Sequence, residues 1–170
     1  MKRFALLTGL ALLLAATASW AEDDDDDDDE RGQGQSDAAA RATPQWKQYE
    51  TECGSCHLAF PPRMLPAKSW TTLMGGLDNH FGQNAEVDAA TGKALSAWLV
   101  KQAGTDVGGA PLRITTLPWW KREHREVAAN VYQRKAITSP ANCAACHPGA
   151  NQGAFGEHAV RIPRDAPAAR

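Results

Sequence analysis

Two five-residue stretches, Cys53-Gly54-Ser55-Cys56-His57 and Cys143-Ala144-Ala145-Cys146-His147, restrict this chain more than anything else in it. Both read C-x-x-C-H, and together they consume all four cysteines. At this spacing two thiols reach the two vinyl groups along one porphyrin edge, and the adjacent imidazole meets the iron from one face. That is how a c-type haem is attached. Other uses of paired cysteines fit less well. A redox dithiol needs one pair and no following histidine. A zinc site built from all four cysteines leaves both following histidines without a role. The motifs therefore predict two covalently attached haem c groups. Cys53, Cys56, Cys143 and Cys146 are the anchors, and His57 and His147 the proximal iron ligands.

Such attachment requires a compartment outside the reducing cytosol, and the N-terminus reads as an export signal. Lys2 and Arg3 precede an apolar run from Phe4 to Ala16, and Ser19-Trp20-Ala21 offers small residues for cleavage. The run is shorter than the ~20 residues a membrane span needs. The expected product is a periplasmic protein, freed of residues 1–21 and without a membrane anchor. Residues 22–42 come next, with nine acidic residues in one block from Glu22 to Glu30. A segment so charged and so poor in apolar bulk is expected to be disordered. From Arg31 onward 16 Lys and Arg face 11 Asp and Glu. That modest basic excess has no interleaved aromatics, which excludes a nucleic-acid-binding surface. The rest of the chain is short for two haem sites, so side chains alone are expected to build little core.

The folded part is expected to be all-α, as two small helical haem-binding domains, residues 43–108 and 109–170. Thr43-Pro44 supplies an N-cap and a first-turn proline, and Trp46, Tyr49 and Cys53 share the face of the helix that follows. Phe60-Pro61-Pro62 ends that segment and offers a backbone carbonyl for the free nitrogen of His57. Ser69 is read as the cap of a short helix with Trp70, Leu73, Met74 and Leu77 inward. Asp88 caps a longer one reaching about Ala103, with Leu95, Trp98 and Leu99 inward and Gly104 as its stop. The glycine-rich stretch Gly104 to Pro111 marks the domain boundary. Leu117-Pro118-Trp119-Trp120 opens the second unit, and Ser139-Pro140 repeats the cap-then-proline entry before the second anchor.

The sixth iron position separates chemistry from electron transfer. His80 lies in a polar turn 23 residues beyond His57, and His124 lies 23 residues before His147. These two are the candidate distal ligands. Met74, and then Met64, are the rivals to His80; His158 is the replacement for His124.

These residues resemble the small periplasmic dihaem cytochromes c of the bis-histidine type. The matching text is ECGSCHLAF (Glu52 to Phe60), Leu65-Pro66, Ser69-Trp70, LDNHFG (Leu77 to Gly82), SPANCAACH (Ser139 to His147) and Val160 to Pro163. The resemblance implies two helical domains, the first class I cytochrome c-like, and bis-histidine ligation carried to His80 and His124. It implies electron transfer from a membrane b-type cytochrome to a small oxygen-binding haem protein. The acidic block has no place in that pattern. Function is therefore expected to be electron carriage rather than catalysis. A dihaem peroxidase or reductase with one openable iron is the runner-up. Lys121, Arg122, Arg125, Arg134 and Lys135 form a candidate docking face.

Overall fold

Alanine-rich sequence and one buried carboxylate overturn the expectation for the end of the acidic segment. In the computed structural model, which describes residues 37–165, residues 37–41 are helical (α1). The expected signal peptide (1–21) and residues 22–36 lie outside the described residues. Ala38-Ala39-Ala40 favours helix intrinsically. Asp37, only 4% exposed, accepts from Arg63 Nε and Nη2, both at 2.8 Å. Arg41 reaches across the molecule: its Nη1 donates to the Asn151 carbonyl at 2.6 Å, while its guanidinium lies 4.1 Å above the Trp46 ring.

Helix α2 spans Pro44–Cys53, with Thr43 Oγ1 accepting from the Trp46 N–H at 3.1 Å and proline in the first turn, as expected. Its buried face carries Trp46 and Tyr49. Those rings meet each other, Trp70 and Trp98 edge-on or tilted at centroid distances of 5.6 to 6.2 Å, the arrangement that the ring quadrupole favours. Helix α3 runs Ala67–Met74 and begins after Pro66, two residues before the expected cap. Ser69 is fully buried inside it and caps nothing. Helix α4, Ala89–Lys101, is capped by Asp88 through the Ala90 and Thr91 amides, and buries Leu95, Trp98 and Leu99. It packs on α2 and α3. Gly104 then crosses the loop before α3. Its N–H donates to the Leu65 carbonyl at 2.9 Å, and a Cβ there would overlap the Arg63 carbonyl. The helix already ends at Lys101 with Gln102 as its C-cap, so Gly104 is not the expected stop, and close approach is what makes glycine necessary here.

Further helical pieces follow, among them α5 (Pro118–Glu123), the 3-10 turn Ala129–Gln133, and α6 (Cys143–Cys146). Ser139-Pro140 does not start α6. Ser139 Oγ accepts from the Ala141 N–H at 3.1 Å, closing a turn, and Asn142 precedes the helix. Leu117 is buried in the same cluster as α2, α3 and α4, with Ile114, Trp119 and Trp120 against it. The described residues hold two isolated bridges, Pro66 with Gly104 and His80 with Gln83, and no extended strand. The fold is all-α. The first half also makes more core than length alone suggested, because four large aromatics fill it.

Candidate metal centres

Helix α2 ends at Cys53, so the first anchor lies in the turn directly after an aromatic-lined helix. The segment following His57 is fastened to the core twice. Tyr49 Oη donates to the Phe60 carbonyl at 3.0 Å, and Trp70 Nε1 donates to the Pro62 carbonyl at 2.7 Å. Phe60 in turn stacks on the His57 ring, centroids 5.3 Å apart. The carbonyl accepting from His57 Nδ1 is that of Leu58, at 2.7 Å, rather than one in the proline pair. A carbonyl only accepts, so Nδ1 carries the proton and Nε2 is left with a free lone pair for a metal.

His80 ends the 3-10 turn Leu77–Asn79 and exchanges backbone hydrogen bonds with Gln83 at 2.7 and 3.2 Å. Phe81 follows at φ 53° and Gly82 at φ 92°. A left-handed aromatic is uncommon, and here it sits beside a candidate ligand. The turn swings the His80 ring to a centroid distance of 6.0 Å from His57, 26° from parallel. An open cavity of about 420 Å³, lined by Leu73, Gly76, His80, Phe81 and Leu112 among others, adjoins His80.

The second centre is assembled from more distant pieces. His124 caps α5, and its Nδ1 donates to the Trp120 carbonyl at 2.9 Å. Trp120 also lies flat on the His124 ring, centroids 4.2 Å apart and planes 12° apart. His147 follows α6, with Phe155 against its ring at 5.6 Å. The closing segment is pinned over α6, since the Arg161 N–H donates to the Cys146 carbonyl at 2.8 Å. His124 and His147 lie 6.2 Å apart, but their planes are 68° apart.

Two metal–imidazole bonds of about 2 Å, each extended about 1.1 Å to its ring centroid, separate rings on opposite sides of one metal by about 6 Å. Both histidine pairs have that spacing, so the residues fit an iron between each pair. Burial, reinforced by the facing histidine, holds His80 and His147 below the usual imidazole pKa, in the neutral form that ligates. Their Nδ1 atoms are buried without partners.

Three of the thiols, Cys53, Cys143 and Cys146, are unlike those of a redox dithiol. Burial, with Glu52 adding to it, pushes Cys53 up to about 11. Burial also raises Cys143 and Cys146, whereas a reactive dithiol needs a lowered pKa. All four are free, and among the described residues no three His, Cys, Asp or Glu side chains gather as a metal site, so a four-cysteine zinc arrangement is absent there. His158 is exposed. Met64 is buried, and Met74 packs against the core. Arg134 leaves the expected docking face, since its Nη1 donates to the Pro163 carbonyl at 2.8 Å.

The tryptophan pair Trp119-Trp120 leading the His124 helix was expected to wall that pocket, and Trp120 does lie on the ring, whereas Phe60 and Phe155 were not singled out as braces. For Trp120, its place four residues before His124 in a helical stretch was the available sign.

The sequence model of a family described as dihaem cytochrome c matches residues 49–155. Among solved structures, the crystal structure of DHC purified from Rhodobacter sphaeroides is 45% identical with a TM-score of 0.58, covering 64% of this chain and 96% of that one. A new diheme cytochrome type c from Shewanella baltica OS155 is 35% identical with a TM-score of 0.65, covering 72% and 97%. A diheme cytochrome c from Rhodobacter sphaeroides is 41% identical with a TM-score of 0.59, covering 64% and 95%. No curated protein matches.

Proposed function

Because the chain belongs to the dihaem cytochrome c family, and is therefore a haem-based electron carrier with two covalently bound haem c groups, we propose that it works in the periplasm with each iron held between two histidines. His57 pairs with His80, and His124 with His147. The observation carrying this ligation is the ring separation, 6.0 Å in one pair and 6.2 Å in the other.

When bound, each haem supplies an iron that exchanges one electron between ferric and ferrous states. The polypeptide does the rest. Cys53, Cys56, Cys143 and Cys146 hold the porphyrin edges. His57 and His124 are aimed by carbonyls at Leu58 and Trp120, and such contacts raise ligand basicity. With an imidazole on both sides of each metal position, the protein has little to move when the charge changes. Phe60, Trp120 and Phe155 lie against His57, His124 and His147 and hold their rings. An enzyme of peroxidase or reductase type would need one open or readily opened iron, and a second histidine facing each proximal one supports the carrier reading instead.

For partners we propose a membrane b-type cytochrome as donor and a small oxygen-binding haem protein as acceptor. Lys121, Arg122, Arg125 and Lys135 are exposed and suit an acidic docking surface. A transfer rate independent of ionic strength would exclude that docking. Among the described residues no helix is long and apolar enough to cross a membrane.

His80→Met and His124→Met test the ligation. Each is expected to add the sulfur–iron charge-transfer band for one haem and leave the other spectrum intact. Spectra unchanged in both variants would refute the two distal assignments.

A further inference from the structure

We propose that Trp120 is a positioning residue that fixes the ring plane of His124 across that of His147, and so makes the second iron electronically unlike the first. The inference rests on the bis-histidine reading above.

The two centres have similar ring separations and differ in orientation. His57 and His80 lie 26° from parallel, while His124 and His147 are 68° apart. An imidazole plane selects which iron d orbital its π electrons reach. Near-parallel rings load the same orbital and split the pair. Near-perpendicular rings load both and leave them almost degenerate.

The rotation of His124 is fixed by two contacts from one residue. The indole lies flat on the ring at 4.2 Å and 12°, and the Trp120 backbone carbonyl takes the Nδ1 proton at 2.9 Å. Trp120 is itself backed by Tyr132, centroids 5.9 Å apart, and packs against the main core cluster. His147, by contrast, has an unpartnered Nδ1 and one tilted ring neighbour, Phe155. The crossed angle is therefore set from the His124 side. At the first centre the roles are exchanged. The anchor-borne His57 is stacked and tied, while His80 meets Phe81 edge-on at 4.8 Å and has no Nδ1 partner.

The test is low-temperature electron paramagnetic resonance of the oxidised, full-length holoprotein. Wild type is expected to give two low-spin signals, an ordinary rhombic one from the first centre and a highly anisotropic, large-gmax one from the second. Trp120→Leu removes the indole face and is expected to move the large-gmax signal toward the rhombic type. The first signal is unchanged and serves as the internal control. Trp120→Phe keeps a ring face and is expected to retain the anisotropic signal. Two rhombic signals in wild type, or a large-gmax signal that survives Trp120→Leu unaltered, would overturn the inference and leave bis-histidine ligation standing. A high-spin or methionine-type second centre in wild type would instead overturn the ligation itself. Should Trp120→Leu not load haem, Trp120→Met, which keeps the reach without a face, carries the same comparison.

Discussion

Asp37→Ala is expected to destabilise the protein although the residue lies in a stretch whose composition suggests dispensability. Asp37 and Arg63 form two parallel hydrogen bonds at 2.8 Å, with side-chain exposures of 5% and 24%. Removing one partner of a fully buried pair costs about 3–5 kcal/mol. A quarter of Arg63 stays in contact with water, and Arg63 keeps an interaction besides that with Asp37, which together reduce the expected loss to about 2–3 kcal/mol. For a chain of this size that corresponds to a melting temperature lower by roughly 5–10 °C. The assay is thermal unfolding of the holoprotein followed by far-ultraviolet circular dichroism. Asp37→Asn keeps the shape and one acceptor and should fall between the two. A melting point for Asp37→Ala within about 1 °C of wild type would refute the reasoning. The contact between α1 and Arg63 would then contribute nothing to stability.

Three other outcomes follow from the structure. Leu99→Ala, at a position with no exposure, is expected to lower the urea unfolding free energy by about 3 kcal/mol; a loss within the error of the extrapolation would contradict the described core. Hydrogen bonds from Thr91, foremost, and from Ala90 hold the Asp88 carboxyl below its ordinary 3.8. A depressed folded value means that its stabilisation is present above the unfolded pKa and is lost as pH falls through the folded one. Asp88→Asn should therefore show a smaller decline in urea midpoint between pH 6 and pH 3, and an unchanged decline would remove Asp88 from the acid limb. In the reduced protein, carbon monoxide is expected to displace His80 before His124, since of these two only His124 is both stacked and tied. Spectra of the His80→Met and His124→Met variants identify which haem responds, and displacement at the second centre first would count against that difference.

The two C-x-x-C-H motifs were legible because attachment chemistry dictates residue type and spacing locally, whereas His80 and His124 stood out only as remaining histidines, whose approach to His57 and His147 the fold supplies. Thr43 and Asp88 were legible as caps for the same reason, since a side chain reaching an amide two or three residues on is a sequence-local event. What stayed hidden depends on separation. Nothing in Asp37-Ala38-Ala39-Ala40-Arg41 announces partners at Arg63 and Asn151, 26 and 110 residues away. Ser69 misled because its cap-like identity was outweighed by Pro66, which starts α3 earlier and draws the hydroxyl into the interior. Ser139-Pro140 misled because serine followed by proline serves a turn as readily as a helix entry. The crossed ring planes at the second centre were beyond reach, since one-dimensional spacing carries no orientation.

The interior is distributed unevenly along the chain. Of the 13 buried apolar residues among those described, ten precede Gly104, and only Leu117, Ile137 and Ala150 come after it. The early half therefore owns a nucleus that can condense before any prosthetic group arrives, whereas the late half must wait for its porphyrin to become an inside at all. Maturation then acquires a direction. The opening portion is expected to set first around its tryptophans, while Cys143 and Cys146 stay within reach of the attachment apparatus for longer, and a newly made molecule caught halfway should carry its haem deficit at the C-terminal end.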